Sequence, residues 1–139
     1  MGYLKIWIHL VWTTKDRSPL LRKEFRQDVF QHIRENAKEK NIYIDFINGY
    51  TEHIHCLISL GSDQNIEKIL MLLKGESSYW INKQKLTPNK FEWQDEYFAV
   101  SVSESAVNYV RNYIKNHENH HKKKPFADEY QKFIDKYKF

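Results

Sequence analysis

The residues best suited to chemistry in this chain are His53 and His55, one hydrophobe apart in the run Tyr50-Thr-Glu-His-Ile-His-Cys-Leu-Ile-Ser-Leu60. That run reads as a β-strand. Strand side chains alternate, so the two imidazoles point the same way, roughly 7 Å apart along the backbone. Ile54 and Cys56 point the opposite way, into a core. Two imidazoles side by side on a rigid strand can hold one divalent metal. The spacing is common, however, and it reads equally as two half-exposed strand histidines with no metal. A second feature lies downstream, Tyr113-Ile-Lys-Asn-His117.

The elements that must position these residues follow from periodicity. Leu4 to Thr14 is rich in Ile, Leu, Val and Trp and predicts a first strand. From Leu21 to Lys40 the apolar residues Phe25, Val29, Ile33 and Ala37 recur every four, a helical stripe. Ile42 to Ile47 alternates as a strand, with Ile42, Ile44 and Phe46 on one side and Tyr43, Asp45 and Ile47 on the other. Asn48-Gly49 then predicts a type I′ turn, which hairpins the His strand to its predecessor. Ser62 or Asp63 is a candidate cap for a second helix with the stripe Ile66, Ile69, Leu70, Leu73, Ser77, Trp80 and Ile81, ended by Thr87-Pro88-Asn89. Tyr97 to Ser101 predicts a fourth strand, and Ser101-Val-Ser-Glu104 has capping-box spacing before a third helix that reaches about His117. Pro125 can start a short last helix with Phe126, Tyr130, Phe133 and Tyr137 on one side. The order β-α-β-β-α-β, then α and α, is the split βαβ plan. It predicts an α+β, ferredoxin-like, four-stranded antiparallel sheet with helices on one face and additional C-terminal helices, the His strand being one of the two central strands.

Composition bounds the class. A chain of 139 residues is expected to be a single domain over 1–139, with 118–139 a basic tail and short helix. Aromatics make up 15%, which fills cores and also supplies faces for stacking on unpaired bases. The net charge of +4 is compatible with a polyanionic partner without demanding one. The single cysteine, Cys56, allows no intramolecular disulfide, and its place on the core side of the strand argues against a nucleophile. The run Ile6 to Trp12 contains His9 and is too short for a secretory signal, and no apolar run approaches the roughly 20 residues of a membrane span. A soluble, cytoplasmic protein is expected.

On the third helix Tyr109, Tyr113 and His117 form one stripe, and Val107, Val110 and Ile114 an adjacent, core-facing one. A tyrosine oxygen is a poor nucleophile at neutral pH, but it serves when it attacks a phosphate polarised by a metal. Expelling a sugar 3′ oxygen leaves a phosphotyrosine ester that conserves the bond energy, so strands can be rejoined without a nucleotide cofactor.

At this point the chain resembles a known family. His53-Ile54-His55 matches the His-hydrophobe-His pattern of the HUH endonucleases, and Tyr113-x-x-x-His117 occupies the place of their single-tyrosine helix. The strings Ile6-Trp-Ile-His-Leu-Val-Trp-Thr-Thr14, Gly49-Tyr-Thr-Glu-His-Ile-His-Cys-Leu57, Leu73-Lys-Gly-Glu-Ser-Ser78 and Val110-Arg-Asn-Tyr-Ile-Lys-Asn116 are similar to those of the small single-tyrosine transposases of the insertion-sequence-200 class. The resemblance runs from about Tyr3 to Tyr137. It implies cutting and rejoining of single-stranded DNA at hairpin-bearing transposon ends, dependence on Mg²⁺ or Mn²⁺, and a homodimer in which the tyrosine helix can act in trans. It implies Tyr113 as nucleophile and His53 and His55 as metal ligands. One departure is visible. The family usually has Gln four residues after the tyrosine, where this chain has His117. His117 reads either as a third imidazole ligand, favouring Mn²⁺, or as a solvent-facing residue of a decayed element.

Tyr109 is a rival nucleophile or a packing residue, and packing is the favoured reading. Arg111 and Lys115, with His120, His121 and the run Lys122, Lys123 and Lys124, make a cationic end to the third helix. They read both as a solvated charge run at a helix C-terminus and as phosphate contacts. Lys74, beside Gly75 in the second helix, is a further candidate DNA contact, because a glycine inside a helix suggests a close approach. The competing function is a non-catalytic module that binds single-stranded nucleic acid or hairpins through the same sheet, aromatics and basic tail. A third is a metal hydrolase that uses water.

Overall fold

The structure is a computed structural model and describes residues 2–116, 128, 129, 131, 132 and 135. Strands β1 (Trp7–Thr14), β2 (Tyr43–Gly49), β3 (His53–Ser59) and β4 (Trp93–Val102) form one sheet in the order β2-β3-β1-β4. Every neighbouring pair is antiparallel. Helix α1 (Lys23–Glu39) joins β1 to β2, and α2 (Ile66–Lys83) joins β3 to β4. This is the ferredoxin-like plan, with β1 and β3 central. A third helix, α3 (Val107–Lys115), follows β4.

Alternation along β1 and β3 builds two unlike faces. Ile8, Leu10, Trp12, Ile54, Cys56 and Ile58 enter one buried apolar cluster with Val29, Phe30, Ile33 and Ala37 of α1 and Ile69, Leu70, Leu73 and Ile81 of α2. The other face carries Trp7 and Leu57, which pack with Val107 and Ile114 of α3. The two helices of the split βαβ unit therefore share a face, and α3 covers part of the opposite one.

Several local expectations shift, each for a physical reason. The β2–β3 turn is not at Asn48-Gly49. Gly49 still pairs with Ile54, the connection is Tyr50 to Glu52, and the Tyr50 N–H donates to the His53 carbonyl at 3.0 Å. Neither Asn48 nor Gly49 has a positive φ. A Cβ on Gly49 would lie 2.2 Å from the His53 carbonyl oxygen, so glycine is required by close strand approach rather than by turn conformation. The Asn48 amide instead donates to the Ile114 and Lys115 carbonyls and closes the end of α3.

In β2 the register skips between Ile44 and Phe46, a bulge at Asp45. Phe46 thereby pairs with Leu57 and packs towards α3 instead of sharing a side with Ile42 and Ile44, and Ile47 joins the larger cluster. The cap of α2 is Asn65, whose side chain accepts from the Lys68 N–H, rather than Ser62 or Asp63. No capping box forms at Ser101. β4 runs on to Val102, and Glu104 accepts a hydrogen bond from the Trp7 indole N–H. The fourth strand is twice the expected length because its N-terminal half, from Trp93, packs against Trp12 and Phe91.

Candidate functional site

The site is assembled on the face that α3 covers. Register places Val11 opposite His55, Thr13 opposite His53 and His9 opposite Leu57. His9, His53 and His55 therefore point into the same space, and all three are buried. Ile54 and Cys56, fixed in the apolar cluster on the reverse side, hold the strand that carries the pair.

Each imidazole is oriented by a specific partner. His53 Nδ1 lies 2.6 Å from Glu52 Oε1, so its N–H donates to the carboxylate and Nε2 is turned inward. His55 Nδ1 lies 2.8 Å from His9 Nε2. His55 Nε2 lies 3.1 Å from Glu129 Oε1. The Tyr113 hydroxyl donates to the same Glu129 oxygen. The Tyr113 ring stands edge-on to His55 at 5.6 Å and to His9 at 6.4 Å between centroids. Tyr113 reaches these histidines from within its own chain.

Burial sets the protonation of the group. Desolvation pulls the His53 pKa down to about 4, against a smaller upward pull from the hydrogen bond to Glu52. Desolvation, with the charge of His55 added to it, pushes His9 well below the ordinary histidine range. Both rings are neutral at neutral pH, the form in which an imidazole ligates metal. His53, His55 and Glu129 offer ligand atoms that all lie within 4.8 Å of one another. Two imidazoles and a carboxylate form a mixed nitrogen and oxygen donor set that fits a divalent cation. The buried thiol of Cys56 is pushed upward by desolvation, consistent with a core residue.

The fold brings His53, His55 and Tyr113 close together. His117 lies outside the described residues, as do Lys122, Lys123, Lys124, Tyr130 and Tyr137. Three neighbours were missed: His9, Glu52 and Glu129. His9 carries a signal in retrospect, since alternation in β1 sets it opposite Ile8 and Leu10, but only the β1–β3 register brings it to His55. Glu129 follows the basic run at no diagnostic spacing.

Tyr109 is 75% exposed, so it is not the packing residue expected, and it does not share the inward side of Tyr113. The mismatch arises because nine residues of helix bury the Val107, Val110, Tyr113 and Ile114 side only. Arg111 makes a two-pronged ion pair with Asp45 at 2.8 and 2.9 Å, which the β2 bulge makes available. Lys115 is exposed. Lys74 Nζ donates to the Gln94 and Asp95 carbonyls and ties α2 to β4. A Cβ on Gly75 would meet nothing within 4 Å, so no part of the described chain approaches it closely. No described helix is long and apolar enough to cross a membrane.

A ferredoxin-like sheet with a histidine pair on a central strand and a tyrosine helix across it defines the class, and the sequence match agrees. The family described as "Transposase IS200 like" matches residues 3–117, and this chain belongs to it. It is similar to the ISDra2 transposase TnpA of Deinococcus radiodurans, with 27% identity over 122 residues, covering 83% of this chain and 86% of the relative. Two solved structures share the fold. One is a Deinococcus radiodurans R1 protein provisionally assigned as a transposase, with a TM-score of 0.67, 24% identity, and coverage of 84% of this chain and 94% of that one. The other is a REP-associated tyrosine transposase bound to a REP hairpin, with a TM-score of 0.62, 18% identity, and coverage of 87% and 72%.

Proposed function

We propose that this transposase cuts and rejoins single-stranded DNA through a covalent 5′-phosphotyrosine on Tyr113. The observation that carries the reading is the meeting of the half-buried Tyr113 hydroxyl with the buried Glu129 and His53–His55 pair. His53 and His55 would hold a divalent cation, Mg²⁺ or Mn²⁺, with Glu129 as a third donor among the described residues. Such a cation, when bound, polarises a phosphate oxygen as a Lewis acid.

The chain's own residues do the rest. Glu129 takes the Tyr113 proton. The phenolic oxygen attacks phosphorus, the bond from phosphorus to the sugar 3′ oxygen breaks, and that oxygen leaves as a 3′ hydroxyl after protonation. Attack by a 3′ hydroxyl on the phosphotyrosine reverses the step and joins strands, so no nucleotide cofactor is required. Burial of the imidazoles excludes bulk water, which would otherwise compete with the 3′ hydroxyl.

Because a structural relative is bound to a REP hairpin, single-stranded DNA carrying a hairpin is the proposed substrate here. Lys115 and, in the tail, Lys122, Lys123 and Lys124 are proposed phosphate contacts. Arg111 and Lys74 are already engaged with Asp45 and β4, so DNA would have to compete for them. A homodimer is proposed, with each site completed by its own Tyr113; a monomeric mass at micromolar protein, with and without DNA, contradicts the dimer.

The experiment is incubation with Mn²⁺ and an end-labelled single strand bearing a hairpin. The expected result is a denaturation-resistant protein–DNA adduct that Tyr113→Phe abolishes. Cleavage without an adduct, surviving Tyr113→Phe, would indicate a water-using hydrolase. Binding without cleavage would indicate the non-catalytic module.

A further inference from the structure

Two candidate ligands, His53 and His55, sit on one strand, yet they are held by different partners. His53 is backed by the carboxylate of Glu52, and His55 by the imidazole of His9. The difference matters because a carboxylate only accepts, whereas an imidazole nitrogen either donates or accepts according to its tautomer.

We propose that His9 is a positioning residue that selects the metal-binding tautomer of His55, by accepting the His55 Nδ1–H on its own Nε2. The inference rests on the reading of His53 and His55 as metal ligands and deepens it.

A neutral imidazole carries one N–H. His55 can present a lone pair at Nε2 only if its proton is on Nδ1. At 2.8 Å that proton must go to His9 Nε2, so the His9 proton must be on Nδ1. The opposite arrangement is also available within the same geometry. If His9 carries its proton on Nε2, it donates to His55 Nδ1, and His55 then carries its proton on Nε2, the nitrogen 3.1 Å from Glu129 Oε1. That form occupies the Nε2 position and cannot ligate. With one proton on each ring, the two forms differ in where the protons sit and not in charge.

The surroundings suit this role. His9 is 4% exposed and lies in a central strand whose reverse side is fixed by Ile8 and Leu10. Its ring is 5.0 Å from that of His55 between centroids, tilted by 34°, which brings the two nitrogens into line without stacking the faces. Second partners of ligating histidines typically alter metal affinity about 10–100-fold when removed.

The test compares His9→Leu, which accepts no hydrogen bond, with His9→Gln, whose amide oxygen can accept from His55 Nδ1–H. Mn²⁺ affinity is measured by electron paramagnetic resonance on the full chain without DNA, and melting temperature is followed in parallel. The expected result is a loss of about 10-fold or more in Mn²⁺ affinity for His9→Leu, recovered to within about threefold in His9→Gln. A purely structural role would lower the melting temperature of both variants and leave affinity unchanged in whatever remains folded, and that outcome overturns the proposal.

Should His9→Leu fail to fold, wild-type protein decides. With Zn²⁺ as a diamagnetic probe, long-range proton–nitrogen spectra of labelled histidines should show Nδ1–H on both His9 and His55. An Nε2–H on His9 in the loaded protein overturns the relay. Absence of any metal binding by wild type defeats the ligand reading and the relay together, whereas tight binding untouched by His9→Leu defeats the relay alone. Adduct formation by Tyr113 is scored separately.

Discussion

The two faces of the sheet are made from the same strands and differ in almost every physical respect. Among the described residues, the face under α1 and α2 gathers 20 buried hydrophobic residues and the face under α3 four, so most of their burial free energy lies on the side away from His53 and His55. On β3 the division falls between neighbours: Ile54, Cys56 and Ile58 against His53, His55 and Leu57. The apolar side makes the strand rigid, and that rigidity lets two imidazoles, costly to bury, be held in place by Glu52 and His9. The apolar core and the histidine cluster are thus separated one residue at a time along this strand.

The separation can be broken most severely at Tyr113. Tyr113→Phe keeps the ring and should lower strand cleavage by at least about 10³-fold while leaving Mn²⁺ affinity and melting temperature nearly unchanged. A quantitative gel assay for cleaved DNA checks this. Truncation on the opposite face should do the reverse. Ile54→Ala, at a fully buried position, should cost about 2–5 kcal/mol in urea unfolding and leave the affinity of the folded fraction for Mn²⁺ within a few fold. If Ile54→Ala abolished metal binding at temperatures where the protein is folded, the two faces would not be independent.

Acid should weaken the polar face first. The folded protein keeps His53 neutral down to about pH 4, whereas the unfolded chain takes up that proton near the ordinary value of 6.5. Stability of the metal-free protein is therefore full above about pH 6.5 and falls as pH drops towards 4, by up to about 3 kcal/mol from this residue. His9 pushes in the same direction. Urea unfolding at several pH values should show the slope, and His53→Asn should flatten it. A slope that persists unchanged in His53→Asn would assign it elsewhere.

The smallest effect concerns the attachment of α3. Asn48→Ala removes the amide that holds the Ile114 and Lys115 carbonyls and should cost about 1 kcal/mol. Amide exchange should rise in α3 more than in α1. Equal change in both helices would mean that α3 and the main core open together.

The order of elements, the central position of the His strand and the inward pairing of His53 with His55 were legible in the sequence, because each follows from periodicity that one face of burial enforces. What escaped was set by contacts between distant segments. Asn48-Gly49 has the composition of a turn, but its glycine serves the His53 carbonyl and its asparagine serves α3. The alternation of β2 fails at Asp45 because a bulge turns that carboxylate to Arg111, 66 positions away. His9 and Glu129 join the histidine pair from 46 positions before His55 and 16 after Tyr113, and no local pattern encodes either meeting. Tyr109 and Tyr113 look alike on a helical wheel, and only the short contact surface of α3 distinguishes them.

The central claim is that a cation held by His53 and His55 stands within reach of the Tyr113 oxygen. Anomalous diffraction from a crystal soaked in Mn²⁺ tests it directly. The account predicts one peak, about 2.0–2.3 Å from an imidazole nitrogen of each histidine and facing the Tyr113 hydroxyl. A protein that binds Mn²⁺ only elsewhere, with the space between those two rings free of anomalous density, would contradict it.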